Sequence, residues 1–198
     1  MSHMFDGATS FNQELRYTYA DNCDTSKVKN MSHMFRGATA FNNGDEPGVS
    51  VKPLEFNTSQ VTDMSGMFWG AESFNQPLNN WNTWQVKDMS WMFDGAKSFN
   101  QKLYFDTSQV RDMAAMFNCA KSFNQPLEFN TSEVMDMNDM FAGATSFNQS
   151  IVFDTSNVEN MYGMFFNATS FNQPLTFTTS QVEDMSQMFG GATTFNNG

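Results

Sequence analysis

Eight times along this chain the pattern Met-x-x-Met-Phe-x-x-Ala-x-x-Phe-Asn recurs, beginning at Met1, Met31, Met64, Met89, Met113, Met137, Met161 and Met185. The last five intervals are 25, 24, 24, 24 and 24 residues. So regular a period is the mark of a solenoid whose coils stack on their neighbours. Sixteen of the 17 Met fall in two columns, leaving Met135, and 21 of the 22 Phe fall in three, leaving Phe166. Stacked ladders of Met and Phe therefore stand in for the Leu, Ile and Val of an ordinary core, with Met filling irregular gaps and Phe supplying most of the buried area.

Within one coil two periods alternate. From Val61 through Met64, Met67, Phe68 and Ala71 the apolar spacing is three or four, which predicts a short α- or 3₁₀-helix. Asn-Thr-Ser at 57 to 59, or Asp-Thr-Ser at 106 and 154, suits N-capping. Gly7, Gly37, Gly70, Gly95, Gly143 and Gly191, with Asn167 in the same column, suit a left-handed helix end. Cys119 breaks that column, which predicts strain or a different turn there.

Leu127-Glu128-Phe129, Ile151-Val152-Phe153 and Leu175-Thr176-Phe177 read as short strands with the middle residue outward, and Pro at 77, 126 and 174 suits a strand's first position. Asn12 and its seven equivalents, through Asn196, fill one column without exception, as a ladder satisfying loop backbone would. The expected fold is a right-handed, leucine-rich-repeat-like solenoid of about eight coils, with a parallel β-sheet on one face and short helices on the other. Residues 1–198 form one solenoid domain in this reading. Neither end reads as a capping repeat, which predicts a fragment of a longer array.

The coil Met-Phe-x-Gly-Ala-x-Ser-Phe-Asn-Gln-Pro-Leu-x-Phe-x-Thr-Ser-x-Val-x-Asp-Met-Ser, carried with substitutions by residues 67 to 90, resembles the BspA-like leucine-rich-repeat surface proteins. It is most similar to the variant repeat of mycoplasma lipoproteins and other bacterial and protist surface proteins. The resemblance spans essentially the whole chain. It implies a cell-surface or extracellular location and adhesion to host matrix or other cells, and it brings no catalytic residues. The departures are insertions at Arg16 to Cys23 and Asn43 to Pro53 and the extra Asn79. The chain itself shows no signal peptide, lipid-anchor Cys or apolar run long enough to cross a membrane. Cys23 and Cys119 lie about four coils apart, beyond the reach of a disulfide.

Residues 1 to 121 carry 13 acids and all ten bases, net −3; residues 122 to 198 carry eight acids and no base, net −8, for a total of −11. That balance disfavours nucleic acid and anionic membrane and favours a basic surface or cations. His3 and His33 share a column without a third ligand, and the Asp column at 63, 88, 112, 136 and 184 lies where a first-turn carboxylate is favoured anyway, so no metal and no cofactor is expected. Asn-x-Ser/Thr sequons such as those at Asn57 and Asn130 are mostly coincidental in so Asn- and Thr-rich a repeat. The Thr column at 58, 83, 107, 131, 155 and 179 could present hydroxyls as ice-binding arrays do, but capping explains it.

Trp69, Trp84 and Trp91 stand at variable positions in two neighbouring coils, which predicts either a surface aromatic patch or a cover for the Asn79 bulge. The expectation is a non-catalytic module that adheres to protein or glycan on another cell or matrix through Glu55, Tyr104, Glu128, Val152 and Thr176 and the three Trp. The alternative is a structural spacer or a rod that associates end to end. An enzyme is not expected, since two His near the N-terminus supply no catalytic set.

Overall fold

In the computed structural model, residues 1 to 15, 24 to 46 and 49 to 196 are described. The first insertion, Arg16 to Cys23, lies outside them. Numbering each repeat from its first Met, the third and seventh residues have positive φ in all eight: His33 at 53° and Gly37 at 66°, Gly66 at 56° and Gly70 at 69°, Trp91 at 54° and Gly95 at 66°. A right-handed helix needs negative φ at every residue, so two left-handed residues four apart forbid one. The chain takes successive tight turns instead. Met34 N–H donates to Met31 C=O at 3.3 Å and Ala38 N–H to Phe35 C=O at 3.0 Å. Each turn carries its left-handed residue third, as type II turns require.

The alternate amides leave the repeat altogether. His33, Phe35 and Gly37 N–H donate to Ser65, Met67 and Trp69 C=O of the next repeat at 2.8, 2.8 and 2.6 Å. Every repeat that has a successor does the same. The expected architecture is thereby overturned: the described residues hold no helix, and their β-pairing is a row of single parallel bridges through Asn30, Asp63, Asp88, Asp112, Asp136, Asn160 and Asp184. No leucine-rich-repeat-like solenoid with a parallel sheet backed by helices is formed. Nor is there, among the described residues, a helix long and apolar enough to cross a membrane. Cys119 takes no different turn; its φ is 53° and its N–H donates to Ala142 C=O at 2.7 Å, as at its glycine counterparts.

The segments expected as strands are extended, with Leu127 and Phe129 buried and Glu128 exposed, but backbone ladders do not join them. The rings on this side are spread, 6.5 Å between Phe129 and Phe153 against 5.6 Å between Phe141 and Phe165 on the turn side. Side chains bridge the repeats there instead. Thr58 Oγ1 donates to Asn82 C=O at 2.9 Å and accepts from Asn82 N–H at 2.8 Å, replacing one ladder pair. Thr58, Thr83, Thr107, Thr131 and Thr155 are buried, so they present no open hydroxyl array. The helix caps expected here are Asx turns: Asn57 Oδ1 accepts Ser59 N–H at 3.1 Å. Asn148 N–H and Gln149 Nε2 both donate to Asn124 Oδ1, at 2.9 and 3.0 Å, and the same pair recurs along the stack.

The core is the Met and Phe columns. Phe68 stacks on Phe93 at 5.6 Å and on Phe74 of its own repeat at 3.9 Å, with planes within 9° of parallel. Trp81 fills the third Phe column, 6.4 Å from Phe105, and its indole N–H donates to Leu54 C=O at 2.8 Å. The residue added at Asn79 is absorbed on the surface.

Two substitutions test this packing. Phe147→Ala, at a fully buried ring, is expected to lower unfolding free energy by roughly 3 to 5 kcal/mol, and Glu128→Ala by less than about 0.5 kcal/mol, measured by denaturant titration. Gly70 has φ +69°, and a Cβ added there would meet only Gly37 backbone, no nearer than 3.6 Å, so Asn should be accepted at a cost of about 1 kcal/mol. Val at the same place should cost distinctly more, because a branched side chain is excluded from left-handed backbone.

Candidate functional site

Because the core columns take the inward places, the variable residues of each repeat are displayed outward in rows. The extended arm displays Glu55, Tyr104, Glu128, Val152 and Thr176, all exposed, with Tyr104 at 63% and Val152 at 87%. Lys102 Nζ lies 5.9 Å above the Tyr104 ring. A second row, two residues before each first Met, runs Lys29, Thr62, Lys87, Arg111, Met135, Glu159 and Glu183, basic at one end and acidic at the other. The backbone beneath this row is pinned: Lys87, Arg111, Met135, Glu159 and Glu183 each donate N–H to the preceding member at 2.7 to 2.9 Å.

All three sequence-selected Trp are exposed, but they occupy different surroundings. Among the described residues no ring contact joins their indoles. Trp69 lies beneath Arg36, whose guanidinium sits 5.7 Å from the ring centroid and makes a bidentate pair with Asp6 at 2.8 and 2.8 Å. His3 Nδ1 meets Asp6 Oδ2 at 2.9 Å, and the His3 and His33 rings lie 4.9 Å apart. Arg36, then His3, holds the Asp6 carboxyl below its usual range. Burial, then His3 and Arg36, pushes the His33 imidazole down. His33 needs Gly66 in the next repeat, where any Cβ would collide with its Nδ1. Trp91 is one of the left-handed residues. Trp84, 51% exposed, borders a groove of about 420 Å³ with Thr62, Gln85, Lys87, Asp106 and Gln109. A second groove of about 440 Å³ is acidic, lined by Glu159, Glu183 and Asp184 beside Tyr162.

A family model described as "Mycoplasma protein of unknown function, DUF285" matches residues 1–52, 46–130 and 104–198, which together span the chain. The chain belongs to this family. Repetition of the family's match mirrors the repetition of the stack. No curated protein and no solved structure matches the chain.

The Asp column is engaged in turns. Asp63 Oδ1 accepts Ser65 N–H at 3.0 Å and its hydroxyl at 2.7 Å, and Asn30 Nδ2 donates to Asp63 Oδ2 at 2.8 Å. Among the described residues no group of three His, Cys, Asp or Glu is placed to hold a metal. Sequence reasoning gave no notice of Asp94, whose carboxyl is pushed up to about 6, first by burial and further by Asp139, against a bond from Asn118 Nδ2 at 3.2 Å. Burial, then Asp94, also raises the Cys119 thiol. The signal was the Asp94, Asn118 and Ala142 column, legible only once its burial is known.

Asp94 sets a pH dependence. Its folded pKa exceeds the unfolded one, so between about pH 4 and 6 the folded chain binds more protons and stability falls as pH rises. Asp94→Asn is expected to raise stability near neutral pH by about 1 to 2 kcal/mol and to flatten part of that decline. Melting curves of both proteins across the window check it; Asp112 and Asp139, raised mainly by burial, keep a residual slope.

Proposed function

We propose that this chain is a non-catalytic binding module that adheres, at a cell surface, to a protein or glycan of another cell or matrix. The observation that supports this most is the extended-arm row. Val152 and Tyr104 are large side chains that the fold leaves mostly exposed, on backbone that is held by a fixed ladder of Asn, Gln and Thr bonds. Prearranged, exposed aromatic and aliphatic groups bind without a large ordering cost. The BspA-like resemblance of the repeat agrees with this reading and with an extracellular setting. A second reading, a spacer or rod, draws on the ladder of the turn arm: there each repeat presents N–H donors to the next and C=O acceptors to the one before. A stack so built can grow end to end.

Binding of the labelled chain to host-cell monolayers tests the first reading. Tyr104→Ala is expected to weaken saturable binding about 5- to 30-fold, as loss of an aromatic anchor does, with an unchanged melting temperature. Binding that Tyr104→Ala and Val152→Ser leave intact would remove this row from the site. Mass that rises with concentration, without cell binding, would favour the rod.

A further inference from the structure

Trp84 occupies a place that Ser26, Ser59, Ser108, Ser132, Ser156 and Ser180 hold in other repeats. The serine supports its turn: Ser59 N–H and Oγ reach Asn57 Oδ1 at 3.1 and 2.7 Å. At Trp84 only the backbone bond to Asn82 Oδ1 remains, lengthened to 3.3 Å. The indole is half exposed and shares no ring contact with another aromatic among the described residues, so neither the turn nor the core accounts for it. What surrounds it is polar and varied. Thr62 brings a hydroxyl, Gln109 an amide, Lys87 an ammonium and Asp106 a carboxylate, around a groove of about 420 Å³.

An aromatic face rimmed by hydrogen-bonding groups is complementary to a pyranose ring, which has an apolar C–H face and hydroxyls around its edge. The polar groups around the indole suit a ligand edged with hydroxyls better than an apolar peptide side chain, which would leave them unpaired. Asp106, whose carboxyl is held below its usual range by Ser108, and Lys87 leave the groove without an excess of either charge, which suits a neutral ligand. We propose that the Trp84 groove binds a neutral sugar residue of a surface glycan, stacked on the indole and hydrogen-bonded by Asp106, Lys87 and Gln109. This narrows the binding reading given above and rests on it. Gln85 is a positioning residue: its Nε2 donates to Ser59 C=O at 2.6 Å, which fixes the near wall.

The test combines a printed array of neutral and sialylated oligosaccharides with adhesion to intact and periodate-oxidised cells. The proteins are the full chain, Trp84→Ser, Gln109→Ala and Tyr104→Ala. Trp84→Ser installs the residue that six other repeats carry, and an unchanged melting temperature confirms its fold. The expected result is neutral-glycan binding that Trp84→Ser lowers about tenfold or more and Gln109→Ala lowers less, with cell adhesion lost on oxidation. Array binding equal in wild type and Trp84→Ser overturns the proposal. So does cell adhesion that survives both oxidation and Trp84→Ser; if Tyr104→Ala still weakens it, the binding module stands without the sugar site. Absence of any array or cell binding by the wild-type chain overturns both readings.

Discussion

Everything in this structure depends on the pair of left-handed residues in each repeat. Positive φ at the third and seventh positions prevents the helix that the apolar spacing would otherwise favour, and it divides the amides into two sets. One set closes turns within the repeat; the other reaches the repeat beyond at 2.6 to 3.1 Å. A helix would have kept nearly all of its backbone bonding to itself and left stacking to side chains alone. Here the stack is held by backbone, and the Phe rings follow at the spacing the backbone dictates.

Much of this was legible beforehand. The period, the Met and Phe columns, the inward Leu and Phe of the extended arm and the Asn ladder all follow from residues that recur. The turn architecture does not, because the third position holds His, Gly, Trp, Ala, Asp and Gln, and only two of its eight residues are Gly. Each non-glycine residue there bears roughly 1 to 2 kcal/mol of left-handed strain, which the inter-repeat bonds offset. Identity therefore conceals the conformation. Val61, Met64, Met67, Phe68 and Ala71 mimic helical spacing because two consecutive tight turns also return side chains to one face every three or four residues.

The strand arm fails for a complementary reason. Leu, outward residue and Phe alternate as a strand should, but among the described residues no backbone ladder joins one repeat to the next there. Buried Thr hydroxyls and Asn carboxamides then satisfy groups that a sheet would have satisfied itself. Their invariance was visible in the sequence; that they bond from one repeat to the next was not. The candidate binding residues show the same division. Exposure of Tyr104, Val152 and Trp84 follows from register, whereas the Arg36 cover on Trp69 and the groove at Trp84 arise from neighbours in adjacent repeats.

A backbone-held stack also explains how the surface can vary so widely over so constant a core. Since the ladder uses N–H and C=O groups, a residue at the third or sixth position can change from Gly to Trp without altering the bonds that hold its repeat. The constraint that remains is local: a Cβ at Gly66 would strike the His33 ring, and one at Gly163 would displace the Asp139 carboxylate. After His33 and Asp139, the next residue of the column is glycine. Trp91, itself left-handed and exposed, is followed in the column by the buried Ala115. A chain built in this way can place individual aromatic side chains along its length with its packing unchanged, which is the property a surface binding module requires.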